Sequence, residues 1–286
     1  MIFLEWKKAI TILVVSFILL NIFLVFNLWF KEKPMAEFEL TSGQQSEIKQ
    51  YLMERGVILK VDDLKEGRPQ SLLEVSFQKV DEKKALESFF GKKALPQVNK
   101  TQDGRMYTFE KQQLIITDNG FITYFNNEDQ IIWPNLTKEQ AENEAANFIK
   151  NHGNMPANAV LDKVTYDDKS QGYLLEYVRY HDNFFIDNSY VTMLVTPSGI
   201  KTYYQCWLKP LGYVGKKRGV ISPLTAIMRV INEVQAENQI SITRVQQGYY
   251  SKLYDANRWQ VAPVWKIELN DGDIYYVNAY TGEMEQ

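Results

Sequence analysis

Hydrophobic and polar positions are distributed very unevenly along this chain. Residues Ala9 to Phe30 run for 22 positions without a charged side chain, and this occurs once, near the start. At about 1.5 Å per residue such a helix spans the ~30 Å hydrocarbon core of a bilayer, so the run predicts a transmembrane anchor. A cleaved signal peptide would have a shorter apolar core ending in a small-x-small site. Here the exit reads Trp29-Phe30-Lys31-Glu32-Lys33-Pro34, which favours an uncleaved anchor. Lys7 and Lys8 on one side face Lys31, Lys33 and Lys49 on the other, so charge leaves the orientation open.

Beyond the anchor the pattern alternates between helical and strand periods. Ser46 to Arg55 presents Ile48, Tyr51 and Leu52 on one face. Asp81 caps a short helix that turns Leu86, Phe89 and Phe90 inward. Thr137-Lys-Glu-Gln140 is a capping box, and behind it Ala141, Ala145, Phe148 and Ile149 form an apolar face. Ser222-Pro223 pairs a cap with proline at the first helical position, followed by the stripe Leu224, Ile227, Met228, Ile231 and Val234.

Strands are expected at residues 160–166, 173–180, 190–196, 200–208, 241–250, 261–269 and 274–278, where β-branched and aromatic residues lie between turn signals. Asn270-Asp-Gly272-Asp273 makes a hairpin between the last two. Three turn-and-strand segments resemble one another: Thr117 to Phe125 around Gly120, Thr196 to Tyr204 around Gly199, and Asn278 to Glu285 around Gly282. Each reads as two strands joined by a tight turn whose glycine takes positive φ. Helices preceding antiparallel hairpins, in repetition, predict an α+β fold with helices on one sheet face.

Residues 1–33 are therefore expected to form a cytoplasmic tip and anchor, 38–133 an N-terminal α+β domain beginning at Phe38, and 135–286 a C-terminal α+β domain. The last divides into repeats at about 135–209 and 221–286. Trp133-Pro134 marks the boundary, because proline disfavours helix before it. Lys209 to Gly219 reads as a solvated connection between the repeats. Gly212, Gly215 and Gly219 with Lys216, Lys217 and Arg218 would also suit a phosphate cradle.

Charge and composition narrow the function classes. The first 33 residues hold 4 of the 32 basic and 2 of the 35 acidic side chains, leaving 28 and 33, near −5. Such a surface argues against nucleic-acid binding. Cys206 is the only cysteine, which excludes an intrachain disulfide and reads as buried packing. His152 and His181 are the only histidines, and no metal-ligand spacing accompanies them. Nucleophile-elbow, P-loop and Rossmann patterns are absent. The acidic pairs Asp62-Asp63, Asp167-Asp168 and Asp271/Asp273 lie in turn contexts, where Asp bonds its own backbone. No catalytic, cofactor-binding or metal residue is assigned, no cofactor is implied, and an enzyme is not expected.

Partner binding is the remaining class. Asn21 lies near the centre of the anchor, where its amide either hydrogen-bonds across to another helix or bonds locally, and Ser16 is a second polar position there. Tyr249-Tyr250 and Tyr275-Tyr276 place adjacent aromatics on opposite sheet faces, so one of each pair faces solvent, a helix or a partner. Asn21, Ser16, Tyr249 and Tyr276 are thus the candidate partner-binding residues.

Glu5-Trp-Lys-Lys-Ala-Ile-Thr-Ile-Leu13, leading into Asn21-Ile-Phe-Leu24, resembles the opening of the YycI (WalI) family. The closing Ala262-Pro-Val-Trp265, followed by Tyr275-Tyr-Val-Asn278-Ala-Tyr-Thr-Gly282-Glu, resembles its tail, and the C-terminal helix–strand units look similar to PepSY modules. The resemblance implies a single-pass protein of a Gram-positive-type bacterium, with its N-terminus cytoplasmic and its C-terminal region extracytoplasmic. It implies a non-enzymatic accessory protein that modulates the sensor histidine kinase (WalK/YycG-like) of a cell-wall two-component system, with a YycH-like partner. The alternative is a PepSY-like extracytoplasmic inhibitor or chaperone of a protease or cell-wall enzyme. No family site residues are carried over.

Overall fold

The computed structural model describes residues 10–11, 13–24, 41–61, 64–151, 158–234, 240–254 and 256–285. Residues 10–11 and 13–24 are helical and exposed. Among the described residues no helix is long and apolar enough to cross a membrane. The rest of the expected anchor lies outside the described residues, as do Asp62, Asp63 and His152.

Local side-chain capping sets the helix starts. Helix α1 (Ser42–Glu54) begins four residues before the expected Ser46, because Thr41 and Gln44 form a reciprocal capping box. Helix α2 (Glu82–Phe90) starts at Asp81, whose carboxylate accepts from the Lys84 amide at 3.1 Å. In α3 (Lys138–Asn151), Thr137 Oγ1 accepts from the Gln140 amide and Gln140 Oε1 from the Thr137 amide, as the sequence predicts. Helix α4 (Pro223–Glu233) is capped by Ser222 and buries Leu224, Ile227 and Ile231 of the expected stripe.

Among the described residues sixteen strands follow in order: β1 (Val57–Leu59), β2 (Gln70–Phe77), β3 (Gln97–Thr101), β4 (Gly104–Phe109), β5 (Gln112–Thr117), β6 (Ile122–Asn126), β7 (Ala159–Asp167), β8 (Gly172–His181), β9 (Phe184–Thr196), β10 (Gly199–Cys206), β11 (Leu208–Arg218), β12 (Ile240–Tyr249), β13 (Trp259–Val261), β14 (Pro263–Leu269), β15 (Ile274–Asn278) and β16 (Met284–Glu285). Thirteen form one sheet in the order β16-β15-β14-β12-β9-β10-β6-β5-β4-β3, with β1 beside β12 and the β7–β8 hairpin joined to β9. The other three form a small sheet, β11-β2-β13. The three repeated turns are hairpins whose glycines have φ of 81°, 100° and 73° (Gly120, Gly199 and Gly282).

Pairing crosses the expected Trp133–Asn135 boundary at three places: β6 with β10, β1 with β12, and β2 with both β11 and β13. Two of the pairings are parallel, β1 with β12 and β9 with β12. Segments expected as single strands divide where the chain changes sheets. Residues 200–208 break at Trp207, between β10 and β11, and 261–269 break at Ala262, between β13 and β14.

The Lys209–Gly219 connection is corrected to strand β11. Leu208, Pro210, Gly212 and Val214 are buried or half-buried, whereas Lys209, Leu211 and Tyr213 are exposed. This period of two is masked in the sequence by proline and glycine. Pro210 is tolerated because β11 lies at a sheet edge, where one side of the backbone needs no partner.

Apolar side chains collect in three main bodies. Helices α2 and α3 cover β4–β6 and β8–β10 through Ala85, Phe89, Ala141 and Ala145. Helices α1 and α4 pack Leu52, Ile227 and Ile231 against Trp265 and Ile267 of β14. The small sheet meets the large one through Leu73, Val75, Phe184, Ile186 and Tyr249.

Strands β9 and β12 approach closely at Gly248, which pairs with Phe185. A Cβ at Gly248 would lie 2.3 Å from Phe185 Cδ1, and Phe185 is itself buried. We therefore expect Gly248→Ala to lower stability by about 1–3 kcal/mol through overpacking. Urea denaturation of the full chain measures it, and an unchanged midpoint would contradict this close contact.

Candidate functional site

The residues singled out for partner binding occupy very different environments. Ser16 and Asn21 are exposed, but five residues of helix separate them by about 140°, so they do not share a stripe. The Asn21 side-chain amide donates to the Phe17 carbonyl at 2.8 Å, which satisfies one of its two N–H donors within its own helix. Tyr249 is fully buried, with its hydroxyl 2.9 Å from the Ser71 carbonyl and 3.0 Å from Gln70 Oε1. It joins the two sheets from inside and offers no contact surface, which corrects its place among the surface candidates. Burial, and after it the neighbouring Tyr213 and Tyr280 phenols and Asp182, hold its phenol above the usual range.

Tyr276 stays partly accessible. Its ring stacks on Tyr250 with centroids 3.9 Å apart and planes 5° off parallel, and its hydroxyl donates to Asp187 at 2.6 Å. Asp187 opens an irregular stretch in β9, where the register with β8 jumps from Tyr190 to Ile186. The bulge sends out consecutive polar residues. Asp187 pairs with Lys266 at 3.0 Å, Asn188 donates to the Ser251 carbonyl, and Ser189 Oγ accepts from the Leu208 amide at 2.9 Å.

Lys266 is the centre of this network. Trp265 and Ile267 of β14 face α4, so Lys266 points to the opposite sheet face. There its ammonium meets Asp187 and Glu268, while Arg244 joins Glu268 at 3.6 Å to Asp162 at 2.6 Å. Burial opposes the charged lysine, but Asp187 and Glu268 more than offset it and raise its pKa. Nothing in the spacing of these five residues announced that they would meet.

The other acidic and thiol candidates behave as turn and core residues. Asp167 accepts from the amide and hydroxyl of Ser170, and Asp271 from the Asp273 amide. Cys206 is buried, and burial pushes its thiol up to about 12. His181 ends β8 with its ring 5.5 Å from that of Tyr213. Among the described residues no three His, Cys, Asp or Glu are grouped as metal ligands.

A groove opens where residues 64–69 cross the end of β12. One lobe, about 350 Å³, is bordered by Lys65, Glu66, Arg68, Asn183, Phe184 and Gln247. The adjoining lobe, about 480 Å³, is bordered by Arg68, Gln70, Asp182, Phe184, Tyr213 and Lys217. The segment is anchored from both sides. The Gln247 side chain accepts from the Arg68 amide and donates to the Arg68 carbonyl, each at 2.8 Å. On the other side Gly67 lies so close to Val220 that a Cβ would come within 2.4 Å of it. The Arg68 guanidinium rests 4.4 Å from the centre of the Phe184 ring. Burial, then Asp182, pushes the Tyr213 phenol up to about 12. Tyr213 and Lys217 bring two residues of the Lys209–Gly219 segment singled out in the sequence to the groove.

A family model described as YycI protein matches residues 36–280. Among solved structures, an uncharacterized protein from Eubacterium rectale ATCC 33656 is similar over 80% of this chain and 89% of that one, at 11% identity and a TM-score of 0.52. That likeness is one of fold. YycH from Bacillus subtilis matches over 75% of this chain and 51% of that one, at 15% identity and a TM-score of 0.46. No curated protein matches the chain.

Proposed function

The chain belongs to the YycI family, and from that membership we propose that it is a non-enzymatic accessory protein modulating a WalK/YycG-like sensor histidine kinase of a cell-wall two-component system. In this reading a YycH-like protein is its companion, residues 9–30 anchor it in the cell membrane, and the C-terminal region lies outside. The family match over residues 36–280 is the observation that carries the proposal. The uncharged run Ala9–Phe30 supports the anchor.

Modulation needs only a difference in affinity. A kinase with two states shifts between them when an accessory protein binds one state better, and an equal affinity for both would shift nothing. Confinement to one membrane raises the effective concentration, so weak contacts between anchors or ectodomains are sufficient.

The test is co-purification of the full-length chain with the kinase and the YycH-like protein from one membrane, with response-regulator phosphorylation measured after the chain is deleted. Capture of both proteins and a severalfold change in phosphorylation are expected. Unchanged phosphorylation together with no capture would refute the reading.

A further inference from the structure

We propose that the groove around Arg68 is a binding site for a small hydroxylated oxyanion, whose phosphate or carboxylate group sits on the Arg68 guanidinium. This goes beyond the accessory role and does not depend on it.

The first reason is that Arg68 is placed with care and left unpaired. Its backbone is held on both polar atoms by Gln247, and Pro69 restricts it to an extended conformation. Phe184 supports the face of the guanidinium. The Arg68 side chain is exposed, and among the described residues its guanidinium rests on the Phe184 ring without an ion pair or a hydrogen-bond acceptor. A planar fork of N–H donors, backed by an aromatic ring and open at its edge, matches two oxygens of a carboxylate or phosphate.

The distribution of charge selects the rest of the ligand. Arg68 borders both lobes; one adds Lys65 and Glu66, the other Lys217 and Asp182. A polyanion would be repelled by the carboxylate at each end. A single anion at the centre, flanked by hydroxyl groups, satisfies every group: the lysines reinforce the anion while Glu66 and Asp182 accept from hydroxyls. Lobes of about 350 and 480 Å³ accommodate a ligand of that size.

Calorimetric titration of the full chain in detergent tests this, with glycerol 3-phosphate, glycerate, inorganic phosphate and glycerol as the probes. At least one hydroxylated anion should bind saturably, at least fivefold more tightly than inorganic phosphate, and glycerol should not bind. The stronger of the two identifies the oxyanion. Arg68→Ala should weaken binding at least tenfold. Arg68→Lys, which keeps the charge and loses the fork, should weaken it severalfold. Because Gln247 grips only the backbone of residue 68, both variants should retain the parent urea midpoint; Arg68→Gln replaces any that does not. Absence of saturable binding by both hydroxylated anions, affinity no better than that of inorganic phosphate, or binding unaffected by a folded Arg68 variant would each overturn the proposal.

Discussion

Replacing Lys266 by methionine should lower the unfolding free energy by about 3 kcal/mol, although the substitution conserves shape. The ammonium is nearly enclosed, with a side-chain exposure of 9%, and holds Asp187 at 3.0 Å and Glu268 at 3.4 Å. Removing one member of a buried ionic group leaves its partners desolvated and uncompensated, which costs far more than the group as a whole contributes. Asp187 would retain only the Tyr276 hydroxyl, and Glu268 would retain Arg244. The second substitution Asp187→Asn removes the stranded charge while leaving an oxygen for Tyr276. The double variant should therefore recover at least about 1 kcal/mol relative to the sum of the single effects. Urea denaturation of all four forms measures the cycle. Additive losses would mean that Lys266 and Asp187 are energetically independent. The raised pKa of Lys266 means that its contribution is complete below its unfolded value near 10.5 and is lost as pH rises through the higher folded value.

Truncation of Trp265 to alanine should cost about 3–5 kcal/mol, as expected for a large aromatic removed from a core. Its ring fills the layer between α4 and β14, with 2% of its surface exposed. Its indole N–H donates to the Ile221 carbonyl at 2.9 Å, just before the Ser222 cap of α4. The variant therefore leaves both a cavity and an unpaired carbonyl at the start of a helix. Trp265→Phe keeps most of the volume and loses the hydrogen bond, so a smaller loss of about 1–2 kcal/mol is expected. Equal losses for the two variants would show that the hydrogen bond dominates and packing contributes little.

The helices were legible because capping is local. At Asp81, Thr137 and Ser222 the donor and acceptor lie three residues apart, so the sequence contains the whole interaction. The same signal at Thr41 and Gln44 marks the true start of α1, before the apolar face that suggested Ser46. The repeated hairpins were legible for the same reason, since each turn and its glycine lie within a few residues.

Strand β11 and the fate of Tyr249 were not legible. In β11, Pro210 and the glycines imitate a loop, and only the facing β2 reveals the strand. Tyr249 and Tyr250 alternate across the sheet as expected, but alternation does not say which face is covered. The small sheet encloses Tyr249, and Tyr250 stacks on Tyr276 instead. Lys266 and Glu268 alternate with apolar neighbours like a solvated strand face. The β9 bulge brings Asp187 onto that face and makes it a buried network.

By itself the sequence determined the capped helices, the hairpins, the α+β class, a turn role for Asp167 and Asp271, and a family pattern at the two ends. These rest on side chains within one or two turns of each other, or on a periodicity carried by a single segment. Tertiary structure alone decided the strand order, the exchange of β11 and β14 between sheets, and the Arg68 groove. The clamp that holds this groove joins Arg68 to Gln247 across 179 residues. Contacts at such separation depend on which surfaces complement one another after collapse, and no local pattern records them.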